Sequence, residues 1–195
     1  YLSMLEEGNA WSVTYFDIYM PTAYNQFNLG NTVLINNTEY KNIYINSTSS
    51  DCFIREENGI VYILDTSNNE KKILDFTLEV GDIFTDDYIS CVYGTYHELE
   101  VVSISNQFIA GMDRKVLELD GWGDQYWIEG IGSTSGGLYL GVQNIEGGSG
   151  LNCFYSNGET YLFNNATVCH LGIEENYKNQ IIIHPNPVTN QSILQ

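Results

Sequence analysis

Two residues, Asn58 and Gly59, form the sequence feature that most limits how this chain can fold. They separate two runs rich in aromatic and β-branched residues, 52–57 and 60–64. A type I′ turn needs positive φ at both central positions, and Asn followed by Gly meets that need, so the pair predicts a tight β-hairpin. Asn157 and Gly158 stand between residues 151–156 and 159–163 and predict a second hairpin in the same way.

Short strand candidates separated by turn residues fill the rest of residues 1–175. Residues 11–16 alternate with a period of two, which is typical of a half-buried strand. Further candidates are residues 40–45, 73–80, 89–93, 98–105, 116–119 and 126–129. Only residues 2–7 suit a helical turn. We therefore expect an all-β domain with little helix, in which a single antiparallel meander forms a barrel-like or sandwich arrangement.

The charge of the chain is strongly one-sided. It has 25 acidic and 7 basic residues among 195, a net charge of −18. Such a field repels phosphates, which excludes nucleic acid as a partner and disfavours anionic membrane surfaces. No run of residues is apolar enough to span a bilayer, so we expect no membrane insertion. The acids are dispersed along residues 1–175 rather than gathered in a tail.

The four cysteines, Cys52, Cys91, Cys153 and Cys169, lack the close pairing that thiolate zinc sites usually need. An even number without such pairs favours disulfides in an oxidising compartment. Cys153 with Cys169 would close a short loop around the second predicted hairpin, which leaves Cys52 with Cys91. The alternative is four buried free thiols in a cytosolic protein.

The composition changes after residue 175, where two prolines flank an asparagine and only one charge, Lys178, remains. Proline cannot continue a helix or a central strand. We therefore expect two parts: a β domain over residues 1–175, and a linker over residues 176–195 that leads into a further module. Because the chain begins at Tyr1 without a basic and apolar leader, we expect a mature form whose export signal has been removed.

Residues 183–190 read Ile-His-Pro-Asn-Pro-Val-Thr-Asn. They resemble the start of the C-terminal sorting domain of type IX secretion substrates from Bacteroidota, whose signature is hydrophobic–aromatic–Pro-Asn-Pro. Pro185, Asn186 and Pro187 match the signature, and His184 stands where the family usually has Tyr or Phe. The resemblance implies export through the periplasm, a secreted or outer-cell-surface location, and the type IX machinery as a partner.

The body of the chain also resembles the uncharacterised secreted β domains that precede such sorting modules. Residues 11–15, 54–57, 74–82 and 127–133 carry the likeness. The family usually has Gly-Asp-Thr where this chain has Gly30, Asn31 and Thr32, so any role of that aspartate does not transfer. These domains bring no established activity with them, and the resemblance therefore implies a location and an architecture rather than a reaction.

An aromatic and amide-rich segment is the candidate ligand-binding site: Trp122, Asp124, Gln125, Tyr126 and Trp127. Exposed aromatic rings stack on sugars, and neighbouring carboxylates and amides bind sugar hydroxyls. The alternative is that Trp127 packs in the core and Trp122 covers the domain.

Other motifs give weaker signals. Residues 130–137 are rich in glycine, but neither a helix start nor a lysine follows, as a phosphate-binding loop requires. Acids at 82–87 and 120–129 lack the spacing of a calcium loop, so we predict no metal site and no cofactor, with structural calcium as the alternative. The three histidines, His97, His170 and His184, are scattered.

These observations together favour a secreted or cell-surface binding or adhesion domain without catalysis. Its ligand would be a carbohydrate or a surface protein. Two alternatives stay open: a secreted hydrolase that uses carboxylates, and a structural spacer domain of a surface protein.

Overall fold

A computed structural model describes residues 1–85, 98–121, 125–139, 141, 143–144 (backbone only) and 147–171. These residues contain strands and turns but no helix, and hence no helix of the length and apolarity that a bilayer crossing requires. The all-β prediction is confirmed. The strands are β1 (Ala10–Asp17), β2 (Ala23–Ile35), β3 (Thr38–Ile45), β4 (Thr48–Glu57), β5 (Ile60–Leu64), β6 (Glu70–Asp75), β7 (Ile83–Thr85), β8 (Glu98–Ile109), β9 (Met112–Asp120), β10 (Gln125–Ile128), β11 (Gly132–Ser133), β12 (Gln143–Asn144), β13 (Gly147–Ser156) and β14 (Glu159–Leu162).

The strands form two curled antiparallel sheets that are half-barrels. The larger sheet runs β12-β13-β1-β2-β3-β4-β5-β6, with β14 also on β13, and the smaller runs β11-β10-β9-β8-β7. Neighbours are mostly consecutive in sequence, as a meander requires. The exception is β13, which follows the smaller sheet in the chain and returns to pair with β1 along the length of that strand.

In the described part of the chain, two-residue turns join five pairs of consecutive strands, and both residues of each turn have positive φ. These turns are Asn36 with Asn37, Asn46 with Ser47, Asn58 with Gly59, Ala110 with Gly111, and Asn157 with Gly158. Positive φ at both positions identifies type I′ turns. Both hairpins predicted from Asn-Gly are confirmed.

One hydrophobic core lies between the two sheets. Trp11, Phe27 and Ile54 enter it from the larger sheet, and Phe84 and Trp127 enter it from the smaller. The ring of Phe84 meets Trp127 edge to face at a centroid distance of 4.9 Å. Each sheet therefore buries its inner face on the other, which is how a curled sheet with one apolar face gains stability.

The N-terminal segment is held by one carboxylate rather than by a helical turn. Glu56 in β4 accepts hydrogen bonds from the side chains of Tyr1 and Ser3 and from the backbone N–H groups of Met4 and Leu5. The expectation of a helical turn at residues 2–7 is wrong, because N–H groups of this segment bind Glu56 and Met4 is fully buried in the core.

Among the differences between the expected and the observed strands, two are large. The strand predicted at residues 73–80 ends at Asp75, whose carboxylate accepts hydrogen bonds from the backbone N–H and the hydroxyl of Thr77 and so begins a turn. The 13-residue strand β2 was not predicted, since its apolar residues do not alternate regularly. The candidate at 89–93 and the predicted tail at 176–195 lie outside the described residues.

A disulfide joins Cys153 in β13 to Cys169, as predicted, with the two Cα atoms 5.6 Å apart. It attaches residues 163–171 to the outer face of the larger sheet, where Ala10, Leu162 and Leu171 form a second small core with the two half-cystines. Cys52 is disulfide-bonded too. The predicted partner of Cys52, Cys91, lies outside the described residues.

Removal of the Cys153–Cys169 disulfide should destabilise the domain by about 3 kcal/mol, because a loop of this length then regains its freedom in the unfolded chain. The double variant Cys153→Ala with Cys169→Ala, compared with the wild type by urea denaturation at pH 7, measures this. A variant as stable as the wild type would show that residues 163–171 hold their place without the crosslink.

Candidate functional site

The structure describes three of the five predicted ligand-binding residues, and two of these three are buried. Trp127 and Gln125 in β10 are buried at 0% and 1% exposure, and Tyr126 between them is half-buried. Trp122 and Asp124 lie outside the described residues. Since Trp127 packs on Phe84 in the core, a sugar ring has no access to its face in this structure.

Tyr126 is the one predicted ligand-binding residue in the described part of the chain that reaches solvent. Its hydroxyl lies 3.5 Å from a carboxylate oxygen of Glu118, whose other oxygen accepts a 2.6 Å hydrogen bond from Ser103. These three residues come from three neighbouring strands of the smaller sheet. The arrangement is an ordinary cross-strand hydrogen-bond network that holds Glu118 in place.

The glycine-rich segment 130–137 has a packing role. A Cβ at Gly132 would overlap the carbonyl oxygen of Gly137, and one at Gly137 would press on the Trp11 ring. The indole Nε1 of Trp11 in turn donates a 2.7 Å hydrogen bond to the carbonyl of Ile131. The glycines therefore let this segment pass close over Trp11.

The titratable residues show no assembled metal site in the described part of the chain. No group of three or more His, Cys, Asp or Glu side chains there is close enough to hold an ion. Asp82 accepts a backbone hydrogen bond from Glu79, and Asp120 is exposed. His97, His184, Asp86 and Asp87 lie outside the described residues.

The most unusual surface feature is the connection between β1 and β2. From Phe16 to Tyr24 every residue is exposed, and five of these nine residues are large and apolar or aromatic. We call this segment the β1–β2 loop. Ile18, Tyr19 and Met20 at its tip are 68%, 74% and 68% exposed. Soluble proteins scatter single apolar residues over their surfaces, whereas a contiguous group of this kind marks an interaction site.

The loop has a defined conformation. The Asp17 carboxylate accepts a 2.7 Å hydrogen bond from the backbone N–H of Tyr19, which is an Asx turn. The loop begins where β1 is still paired with β13, up to Asp17 opposite Gly147. Its apolar side chains are therefore presented by a turn anchored on the sheet.

The two end residues of the loop, Phe16 and Tyr24, extend this surface onto the outer face of the larger sheet. Tyr24 stacks on His170, with ring centroids 4.0 Å apart. Tyr24 pairs with Thr14 across the strands. Phe16 lies two residues after Thr14 in β1. Because alternate residues of a strand point to the same side of the sheet, Phe16 and Thr14 lie on the same face. The disulfide at Cys169 fixes the segment that carries His170.

Sequence patterns assign no role to residues 17–24 and place Phe16 only in a strand, so they did not predict this loop. The available signal was residues 16–24, where apolar residues interrupted by Asp17 and Pro21 follow a strand without alternation. Such a run fits neither the inner face of a strand nor a helix, and it is too rich in large apolar residues for an ordinary turn.

A second cluster, around Arg55, is structural. Its guanidinium makes two hydrogen bonds to Glu70, of 2.6 and 2.7 Å, and one of 2.7 Å to Glu57. It also lies 4.2 Å from the centre of the Tyr62 ring. The bonds from Arg55, and one from the Tyr40 hydroxyl, outweigh the effect of burial and hold the pKa of Glu70 below its ordinary value.

Comparison with models of protein families, with curated proteins and with solved structures found no match to this chain. The β1–β2 loop therefore has to be interpreted from its own chemistry.

Glu70 should make the stability of the domain depend on pH below about 5. Folding lowers the pKa of Glu70, so its ionised form stabilises the fold above the unfolded-state pKa of about 4.3, and this contribution is lost as the pH falls through the folded-state value. Because Glu70 is partly exposed, we expect about 1 kcal/mol or less.

Urea denaturation at pH 7, 5 and 3 measures this effect. Glu70→Gln should flatten the acid side of the profile, and Glu57→Gln, which alters a 60% exposed partner of the same arginine, should change it less. Equal pH profiles for the wild type and Glu70→Gln would contradict the assignment.

Proposed function

We propose that this chain is a non-catalytic binding domain of an exported protein, secreted or held at the outer cell surface, and that the β1–β2 loop is its contact surface. The observation that carries the proposal is the exposure of five large apolar or aromatic side chains on one ordered loop. A rigid scaffold that presents a loop of this composition is the usual arrangement of a binding module.

The energetic argument is that such a loop gains from being covered. Burial of one large apolar side chain stabilises a complex by about 1.5–3 kcal/mol. Tyrosine and methionine are enriched in the centres of protein interfaces, and aromatic residues supply many of their strongest contacts. Phe16, Ile18 and Met20 are 55%, 68% and 68% exposed, so these side chains bury little apolar surface within the fold.

A different observation supports the proposed location. The Cys153–Cys169 disulfide and the disulfide-bonded Cys52 suit an oxidising compartment, because cytosolic reductants keep most thiols free. Export agrees with the resemblance of Pro185, Asn186 and Pro187 to the start of a type IX sorting domain. The strongly negative charge favours solubility outside the cell without selecting a reaction.

If the loop serves binding rather than folding, its apolar tip is dispensable for stability. The double variant Ile18→Ser with Tyr19→Ser should change the free energy of unfolding by about 0.5 kcal/mol or less, since both side chains are exposed. The Asx turn is kept, because Asp17 binds the backbone of Tyr19. Urea denaturation measures the change, and a loss above about 2 kcal/mol would assign the loop to the fold instead.

Export can be tested in the bacterium that makes the protein. The domain should either be degraded by proteinase K added to intact cells or be present in the medium. Cells without a functional type IX translocon should retain it in the periplasm. Pro185→Ala with Pro187→Ala should cause the same retention if the motif is read as a sorting signal. A domain found in the cytoplasm with four free thiols would contradict the proposal.

A further inference from the structure

We propose that the β1–β2 loop binds a protein or peptide whose contact surface is apolar and rimmed with lysine and arginine. This inference rests on the proposed function and names the class of partner. It starts from two properties of the loop: the chemistry of its tip and the charge of the molecule that presents it.

The chemistry of the tip favours a protein over a carbohydrate. Ile18 and Met20 offer neither an aromatic face nor a hydrogen bond to a sugar, and the fully exposed loop is not the concave pocket in which small ligands are usually held. Ile18, Tyr19 and Met20 together match the mixed aromatic, aliphatic and thioether composition of an interface centre.

The scarcity of basic residues near the loop favours a positively charged partner. No lysine or arginine occurs in residues 1–40 or 116–177, so none lies in β1, β2, β12 or β13, the strands nearest the loop. The loop itself carries one charge, Asp17.

The basic residues of the remaining strands are largely engaged. Arg55 binds Glu57 and Glu70, Lys72 binds Asp75, and Lys115 donates to the backbone carbonyls of Phe76 and Leu78. Arg114 is 5% exposed and donates to the carbonyls of Ile109 and Glu129. These four cations are used in contacts within the fold, whereas most of the described acidic residues are exposed.

The negative charge of the molecule favours some partners of the apolar loop over others. It repels a second copy of the chain, which carries the same −18, and it repels an anionic membrane. It attracts a surface with Lys and Arg around an apolar centre, because opposite potentials steer the encounter and apolar contact then holds the complex.

The test uses four defined probes with the 195-residue chain. The first is a fluorescein-labelled helical peptide with leucine along one face and lysine along the other. The second has glutamate in place of lysine, and the third has serine in place of leucine. The fourth is a phosphatidylcholine vesicle. Fluorescence anisotropy measures peptide binding at 50 and 150 mM salt, co-sedimentation measures vesicle binding, and analytical ultracentrifugation measures self-association.

Two variants locate the binding. Ile18→Ser with Tyr19→Ser removes the tip of the loop. Leu34→Ser with Phe108→Ser is the matched control, since these side chains are 67% and 70% exposed on other hairpins.

We expect the leucine–lysine peptide to bind the wild type at least tenfold more tightly than the other two peptides do. The loop variant should weaken this binding about tenfold or more, and the control variant less than twofold. Higher salt should weaken the binding of the wild type.

Several results would overturn the inference: no binding of the leucine–lysine peptide at millimolar concentration, equal binding of the lysine and glutamate peptides, or equal loss in the loop and control variants. Vesicle binding or self-association that the loop variant abolishes would assign the loop to lipid or to a second copy. In all of these outcomes the loop variant still folds as stably as the wild type. If the proposed function is wrong because the loop belongs to the fold, the loop variant is instead destabilised by more than about 2 kcal/mol.

Discussion

The architecture depends on one backbone constraint: consecutive strands are joined by two-residue turns in which both φ angles are positive. Five hairpins meet this constraint, and asparagine occupies the first turn position in four of them. Such turns match the right-handed twist of the paired strands, so successive hairpins add twist and each sheet curls. Curling gives each sheet a concave apolar face, and the core around Trp127 and Phe84 lies where the two faces meet.

The surface of the molecule is acidic because its few basic residues are largely engaged in contacts within the fold. Arg55 is held between carboxylates and aromatic rings, while Arg114 and Lys115 donate to backbone carbonyls between segments. These cations stabilise contacts between segments of the fold, while most of the acidic residues that the structure describes are exposed. An apolar loop on such a surface favours partners of opposite charge and disfavours self-association, which is the physical basis of the partner class that we propose.

Much of the fold could be predicted because hairpin signals are local. Asn58 with Gly59 and Asn157 with Gly158 were recognised and lie in turns, and the Cys153–Cys169 pair followed from its proximity to the second hairpin. The same backbone conformation at Asn46 with Ser47, and at Ala110 with Gly111, was missed because those pairs also suit other conformations. The candidate site was less predictable. Trp127 and Tyr19 are both aromatic residues, and no local pattern showed that the first is buried and the second exposed.

The sequence by itself determined the all-β class, the acidic charge, the tightest turns and a disulfide, since each depends on neighbouring residues or on composition. Only the tertiary structure decided that β13 returns to pair with β1, that the chain divides into two facing sheets, and that Gln125 and Trp127 are buried. It also decided that residues 16–24 project from the domain, bounded by β13 and by the stacked pair of Tyr24 and His170. Burial and projection depend on contacts between residues far apart in the chain, and local sequence patterns carry no record of those contacts.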